Sequence, residues 1–219
     1  MGILLLMPSI PTQKKMSIKS QLKILKQGSV WLSLSTVVFV FATMFSGYSF
    51  IAEYLEGVTH MNGTWVSAML MAFGIFGFFG NFLFSAWLQK NAIRTRIIYP
   101  LLYIGIYVLV YLLGGSFSAM VLLTHLWGLL HSAGLVISQS WLMRDASEAP
   151  EFANSLYISF SNLGITLGAS LAGWVIASLG THNLVWSRII FAALALLSIV
   201  AKLSLYGKGL ASSAPVLAH

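Results

Sequence analysis

The chain has 219 residues, of which 58% are hydrophobic and only 8% are charged. Because a soluble domain carries roughly 25% charged residues, this composition excludes an ordinary water-soluble protein and indicates that lipid is the solvent of the fold. A formal net charge of +7 would suggest nucleic acid as a partner in a soluble protein, but most Lys and Arg residues fall between apolar stretches, so we expect no nucleic-acid binding.

The N-terminal residues are apolar but do not form a secretory signal, because no basic residue precedes them and the apolar run is too short. Pro8 and Pro11 then end any helix that reaches them. A basic segment follows between Lys14 and Lys26. We therefore expect residues 1–29 to contain the end of a preceding helix and a basic cytoplasmic loop.

Six apolar stretches fill the rest of the chain, each close to the roughly 20 residues that a helix needs to cross a bilayer. They predict a transmembrane bundle over residues 30–206, followed by a cytoplasmic tail over residues 207–219. The predicted spans are Val30–Ala52, Thr64–Leu88, Ile97–Leu113, Phe117–Leu142, Ser155–Leu179 and Leu184–Tyr206.

The charges in the connections alternate in a way that predicts orientation. If all six crossings are real, nearly all basic residues fall on the side of the N-terminal segment, which the positive-inside rule assigns to the cytoplasm. Both termini are then cytoplasmic. The basic residues on this side are those from Lys14 to Lys26, Lys90, Arg94, Arg96, Arg144, Lys202 and Lys208, and only Arg188 lies near the opposite side.

The predicted fold is all-α, a polytopic membrane protein with six transmembrane helices arranged as two inverted three-helix repeats. Three crossings invert a segment, so spans one to three and spans four to six enter the bilayer from opposite faces, as in many secondary transporters. The predicted outer connections are short, which places the function within the bundle.

Two spans contain glycines at helical spacing, which predicts close packing against neighbouring helices. Gly164 and Gly168 lie one turn apart in the fifth span. Gly74, Gly77 and Gly80 form a similar run in the second span. A pair of helices that slide or rock against each other would be a refinement of this packing role.

Polar side chains at membrane depth are costly and therefore mark candidate substrate or proton sites. His131, in the middle of the fourth span, can titrate near neutral pH and is a candidate proton carrier or substrate contact, while the alternative is a satisfied interhelical hydrogen bond. Asn162 and Gln139 are uncharged amides that can hold a polar substrate.

Three further candidates lie nearer the ends of the spans. Glu53, at the outer end of the first span, can exchange protons with the external phase or simply be a hydrated interfacial carboxylate. Tyr48 and Trp127 can line a cavity for an aromatic molecule, although Tyr and Trp also populate helix ends for interfacial reasons.

The sequence lacks a phosphate-binding GxxxxGK[ST] loop, a GxSxG elbow and an HExxH motif. It therefore offers no starting point for ATP hydrolysis, acyl transfer or metal catalysis. We predict no metal site, no cofactor and no enzymatic activity.

Several segments resemble the bacterial drug and sugar efflux branch of the major facilitator superfamily, and the resemblance covers essentially the whole chain. Those that carry it are Leu4–Pro8, Tyr48–Glu56, Leu126–Leu129, Arg144–Phe152, Ala153–Leu156 and Asn162–Gly168. The resemblance implies that the six spans are the C-terminal half of a twelve-helix, proton-linked exporter in a bacterial cytoplasmic membrane. Spans one and four would line the cavity, two and five would flank it, and three and six would face lipid.

One departure from that family lies at the end of the second span. The segment Gly80–Lys90 stands where the family often has a loop motif with an Asp, and this chain has Trp87 or Leu88 there instead. The expected partners are lipid, a small-molecule substrate such as a sugar or drug, possible coupling protons, and either an N-terminal six-helix half or a second copy. The alternative is a non-transporting membrane subunit or an inactive truncated fragment.

Overall fold

The structure is a computed structural model that describes residues 21–211, with side chains described as far as residue 207. The predicted helix end in residues 1–20 and residues 212–219 of the predicted tail lie outside the described residues. The described part contains helices and no strand. The α-helices are α1 (Gly28–Tyr48), α2 (Ile51–Gly57), α3 (Gly63–Lys90), α4 (Ala92–Leu113), α5 (Phe117–Asp145), α6 (Pro150–Leu179) and α7 (Val185–Ala211).

Six segments of the described chain are long and apolar enough to cross a membrane, which confirms the predicted all-α fold and the six spans. The first span is the pair α1 and α2, interrupted at Ser49 and Phe50. The sixth span reaches Gly207, and α7 continues to Ala211, so the tail predicted from residue 207 begins within a helix.

The helix ends follow local sequence rules. Pro150 occupies the first turn of α6 beside Glu151, as predicted, where the missing donor costs nothing and the acid complements the helix dipole. Asn62 and Asn91 cap α3 and α4, since their side-chain oxygens accept the backbone N–H of Trp65 and Arg94 at 3.0 Å. Only Asn91 separates α3 from α4.

The two most extensive helix contacts are equivalent to each other, as expected of two inverted repeats. The first span packs extensively on the fifth, and the fourth packs in the same way on the second. In each pair, glycines on the flanking helix face the backbone of the central one. This pairing makes spans one and four the centre of the bundle.

Four of the five predicted packing glycines lie at these contacts. A Cβ at Gly80 would stand 2.7 Å from the Leu129 Cα, and one at Gly77 would stand 2.6 Å from the Ser132 Oγ. On α6, a Cβ at Gly164 would stand 2.8 Å from the Phe41 Cβ. A Cβ at Gly168 would likewise stand 2.8 Å from the Ala42 Cα. These glycines allow neighbouring backbones to approach closely.

The prediction for Gly74 is wrong. This residue is exposed, and nothing lies within 4 Å of the position that its Cβ would take. A glycine that was not predicted to pack, Gly128 on α5, takes part in the contact between α3 and α5. A Cβ at Gly128 would stand 2.5 Å from the Phe73 carbonyl oxygen. Phe73, Gly77 and Gly80 are spaced by four and three residues and share the face of α3 that meets α5. Gly74 follows Phe73 directly and is therefore rotated away from that face.

The spans differ in how much of their apolar surface is buried within the bundle. Spans two and five are the most exposed, with 28% and 22% of their apolar windows buried, whereas the figures for spans three and six are 39% and 50%. The sixth span buries charged residues, Arg188 and Lys202. It is therefore a polar support behind the central helices.

Candidate functional site

An aromatic cluster surrounds His131 on the side of the bundle where Tyr48 is exposed, which we call the open side. The ring centroid of His131 lies 5.1 Å from Tyr48, 5.1 Å from Phe73 and 5.7 Å from Phe45. These residues come from α5, α1 and α3. The fold therefore brings His131 next to Phe45 and Tyr48, which lie more than 80 positions earlier in the sequence. We call Phe45, Tyr48, Phe73 and His131 the aromatic cluster.

The aromatic cluster presents both a stacking surface and hydrogen-bonding groups. Tyr48 is 43% exposed, and His131 is partly exposed. The Nδ1 atom of His131 is buried and has no hydrogen-bond partner among the described residues. A neutral imidazole offers one donor and one acceptor. The exposed ring of Tyr48 can therefore stack against a planar ligand, and the unpartnered Nδ1 of His131 lies buried beside it.

Trp127 does not line this surface, contrary to the prediction. Its side chain is fully buried and packs edge-on against Phe73 at 5.4 Å and Tyr107 at 5.8 Å. Trp127 and His131 share one face of α5, one turn apart, so the difference comes from their neighbours: Phe73 and Tyr107 pack against Trp127, while His131 reaches the open side. Trp127 supports the aromatic cluster from behind.

Arg188 lies behind Trp127 and was not recognised from the sequence as a buried residue. Its side chain is fully buried, and the guanidinium carbon lies 4.5 Å from the Trp127 ring, 5.1 Å from Tyr107 and 5.8 Å from Tyr54. Its Nη2 donates to the Gly47 carbonyl at 3.3 Å. Aromatic faces stabilise a desolvated cation by about 2 kcal/mol or more, which offsets part of the cost of burying this charge.

The position of Gly47 explains how the guanidinium fits. A Cβ at Gly47 would stand 2.6 Å from Trp127 Cζ2 and 2.8 Å from Arg188 Nε. Gly47 also lies just before the interruption of the first span, so Arg188 binds a carbonyl next to the helix break. The sequence signal was present, since an arginine a few residues inside an apolar span is expected to have a buried partner.

A second buried polar group lies at the opposite end of the bundle, where α1, α5 and α7 meet. Lys202 donates hydrogen bonds to Asp145 and Ser33, and Ser33 donates to the same Asp145 oxygen at 2.7 Å. The lysine side chain is fully buried and the aspartate side chain is 6% exposed. Lys202, which the sequence places among the basic residues of the cytoplasmic side, is thus part of an internal ion pair.

Arg96 is likewise buried instead of lying in a connection. Its guanidinium stacks on Trp141 at 4.7 Å, and its Nη2 donates to Ser140 Oγ at 3.1 Å. Lys202 lies over the same indole at 4.3 Å. A window of sequence cannot reveal this arrangement, because the three residues come from three different helices.

The remaining candidates do not join the aromatic cluster. Asn162 is exposed on α6, and its amide donates to the Ile158 carbonyl of its own helix at 2.9 Å. Gln139 is exposed on α5. Glu53 is exposed on α2 and accepts a hydrogen bond from Thr181 Oγ1 at 3.1 Å, which links the outer ends of the first and sixth spans.

Asn162 belongs instead to a polar stripe on the exposed face of α6. Its members share one helix face because they are spaced by three or four residues. The polar stripe consists of Ser155, Ser159, Asn162, Thr166 and Ser170, all exposed. Four of them donate to carbonyls one turn earlier in the helix, which satisfies their hydroxyl or amide hydrogens locally.

Comparison with known proteins finds relatives that are named as transport proteins. No protein-family profile matches the chain. It is 33% identical over 182 residues to the inner membrane transport protein YdhP of Escherichia coli, covering 82% of this chain and 46% of that protein. It is 26% identical over 183 residues to a protein of Mannheimia succiniciproducens named "probable sugar efflux transporter", covering 83% and 46%.

A third relative carries a different kind of name. The chain is 31% identical over 182 residues to a Pseudomonas aeruginosa protein named transcription regulatory protein OpdE, covering 83% of this chain and 44% of that protein. The chain therefore spans about half the length of the curated relatives that it matches. Two of these three relatives carry transport or efflux in their names, and the described part of this chain has six helices long and apolar enough to cross a membrane.

Proposed function

We propose that this chain forms one six-helix half of a major facilitator-type transporter that exports a small molecule, as the names of its inner-membrane transport and sugar efflux relatives suggest. The proposed activity is movement of a solute without covalent chemistry. A non-transporting subunit is less well supported, because the names of two of the three relatives described state transport. The regulatory name of the third applies to that protein.

The observation that carries the proposal is the aromatic cluster on the open side of the central helices. Tyr48 comes from span one and His131 from span four, and the centroids of their two rings lie 5.1 Å apart. A rocking transporter needs its substrate contacts on such central helices, between its two halves. The cluster therefore supports a substrate site for a planar or sugar-like molecule with hydrogen-bonding groups.

The polar stripe supports a partner surface next to this site. It lies on the fifth span, of which only 22% of the apolar window is buried. Polar side chains at membrane depth normally face protein or a wet cavity instead of lipid. We propose that a complementary six-helix half, or a second copy of this chain, covers the polar stripe and closes the substrate cavity.

The proposed location is the bacterial cytoplasmic membrane, with both chain ends in the cytoplasm. Because the chain has no cysteine, single-cysteine variants can be labelled without background. Ser147→Cys in the α5–α6 connection should react with a membrane-impermeant maleimide only after cell lysis, whereas Gly115→Cys in the α4–α5 connection should react in intact cells. The opposite pattern would reverse the orientation.

Transport itself can be tested by co-expression with the first six helices of a related exporter. We expect lower accumulation of an exported sugar or drug in these cells, with the difference abolished by a proton uncoupler. If none of the tested combinations exports a compound, the transporter proposal is contradicted.

His131→Leu tests the site within the same assay. We expect it to reduce export, because it removes both hydrogen-bonding atoms of the imidazole. His125→Leu on the same helix is the matched control, since His125 lies outside the aromatic cluster and packs on Phe76 at 4.4 Å. Equal export by both variants and the parent would remove His131 from the site and leave the transporter proposal intact.

A further inference from the structure

A cleft at the junction of α3 and α4 is separate from the proposed substrate site. It has a volume of about 270 Å³. The residues that line it are Trp87, Lys90, Asn91, Arg94, Thr95 and Ile98. Pockets for drug-sized ligands generally start at about 300 Å³, so this cleft suits a smaller chemical group.

The charge of the cleft favours an anion. Lys90 and Arg94 are both exposed, and none of the lining residues is acidic. Asp145 lies at the same end of the bundle, but its carboxylate forms an ion pair with Lys202. Two cations at the mouth of one cleft, without an acid among its walls, match the charge of a phosphate group.

The depth of the cleft in the membrane favours a phosphate carried by a lipid. Both adjoining helices are membrane spans, and a single residue joins them, so the cleft lies at the boundary between hydrocarbon and water. Trp87, at the mouth, is 42% exposed, and tryptophan is enriched at this boundary. A soluble anion would need none of these apolar surroundings.

Two apolar stripes run from the cations towards the middle of the bilayer. On α3, Phe79, Leu83 and Trp87 precede Lys90 at spacings of three or four residues, and all are exposed. On α4, Arg94 is followed at the same spacings by Ile98 and Leu101. The two helices contact each other sparingly compared with the pairs described above, which leaves room between them for acyl chains.

We propose that this cleft binds an anionic phospholipid, with the phosphate between Lys90 and Arg94 and the acyl chains along the two stripes. Each cation near an anionic lipid surface contributes about a 5-fold gain in affinity, so the pair should contribute roughly 25-fold. The chemistry predicts a preference for phosphatidylglycerol over phosphatidylcholine, whose choline group would lie near two cations.

The test measures lipid binding to the purified full chain in a neutral detergent, with phosphatidylglycerol and phosphatidylcholine of identical acyl chains, by native mass spectrometry. The parent should favour phosphatidylglycerol, and the double variant Lys90→Gln and Arg94→Gln should lose that preference by roughly 25-fold. The double variant Lys23→Gln and Lys26→Gln is the matched control, because it removes the same charge from exposed positions outside the cleft.

Exchange of the two cations, Lys90→Arg with Arg94→Lys, should keep the preference because both charges remain. Equal losses in the cleft variant and its control would overturn the proposal, since any surface charge would then suffice. Equal binding of the two lipids by the parent would also overturn it. Binding of glycerol phosphate as tightly as phosphatidylglycerol would identify a soluble anion in place of a lipid.

Discussion

Gly74 and Gly80 both lie on α3, but substitution by alanine should destabilise the protein only at Gly80. Gly80 on α3 faces the backbone of α5, and a Cβ there would stand 2.7 Å from the Leu129 Cα. Carbon atoms in contact prefer about 3.5–4.0 Å, so Gly80→Ala requires the two helices to separate by about 1 Å. The obstacle is backbone, which cannot rotate away as a side chain can.

The magnitude follows from two opposing effects. Replacing glycine by alanine within a helix stabilises the helix by about 0.5–1 kcal/mol. Overpacking a close contact costs about 1–3 kcal/mol. We therefore expect Gly80→Ala to lower the free energy of unfolding by up to about 2.5 kcal/mol. Gly74→Ala meets nothing within 4 Å and should leave stability unchanged or raise it by up to about 1 kcal/mol.

The assay is equilibrium unfolding of the purified chain by SDS titration in mixed micelles, followed by helical circular dichroism. Gly74→Ala serves as the control for helix propensity, since it lies on the same helix six residues earlier. Equal shifts for the two variants, in either direction, would refute the assignment of the α3–α5 contact to Gly80.

The same unfolding assay tests three other features of the structure. Asp145→Asn leaves Lys202 buried without a counter-charge and should cost about 3–5 kcal/mol, most of which the added change Lys202→Met should restore; an equally unstable double variant would contradict the ion pair. Tyr54→Phe removes a hydrogen bond to the Val110 carbonyl at 3.0 Å and should cost about 1 kcal/mol, and an unchanged free energy of unfolding would contradict a stabilising role for that bond. Gly47→Ala should destabilise by about 1–3 kcal/mol because its methyl group would overlap the guanidinium and indole behind it, and a neutral effect would argue against that packing.

The sequence predicts features that depend on one segment at a time. Hydropathy summed over about 20 residues locates each span, because a bilayer imposes that length on any crossing helix. The start of α6 at Pro150 follows from backbone chemistry within a single turn. The likeness to efflux transporters also follows from local runs of residues, and the relatives described above agree with it.

The sequence misplaces features that depend on how the helices are rotated and paired. The sequence places Arg96 in a connection and counts Lys202 as a basic residue near the chain's exit, because both stand near the ends of apolar runs, yet both are buried. Trp127 and His131 are one turn apart on α5, but only His131 reaches the open side. These outcomes depend on residues from other helices, such as Phe73 and Asp145, which hydropathy cannot pair with them.

For this protein, the sequence by itself determined the number and approximate position of the membrane crossings, since a helix satisfies its own backbone polar groups in hydrocarbon and needs about 20 apolar residues to cross it. Only the tertiary structure decided which polar groups are internal supports and which face outward. The physical reason is that hydrophobicity specifies the solvent of a helix, whereas close contacts between small residues, ion pairs and aromatic rings fix the rotation of that helix against its neighbours.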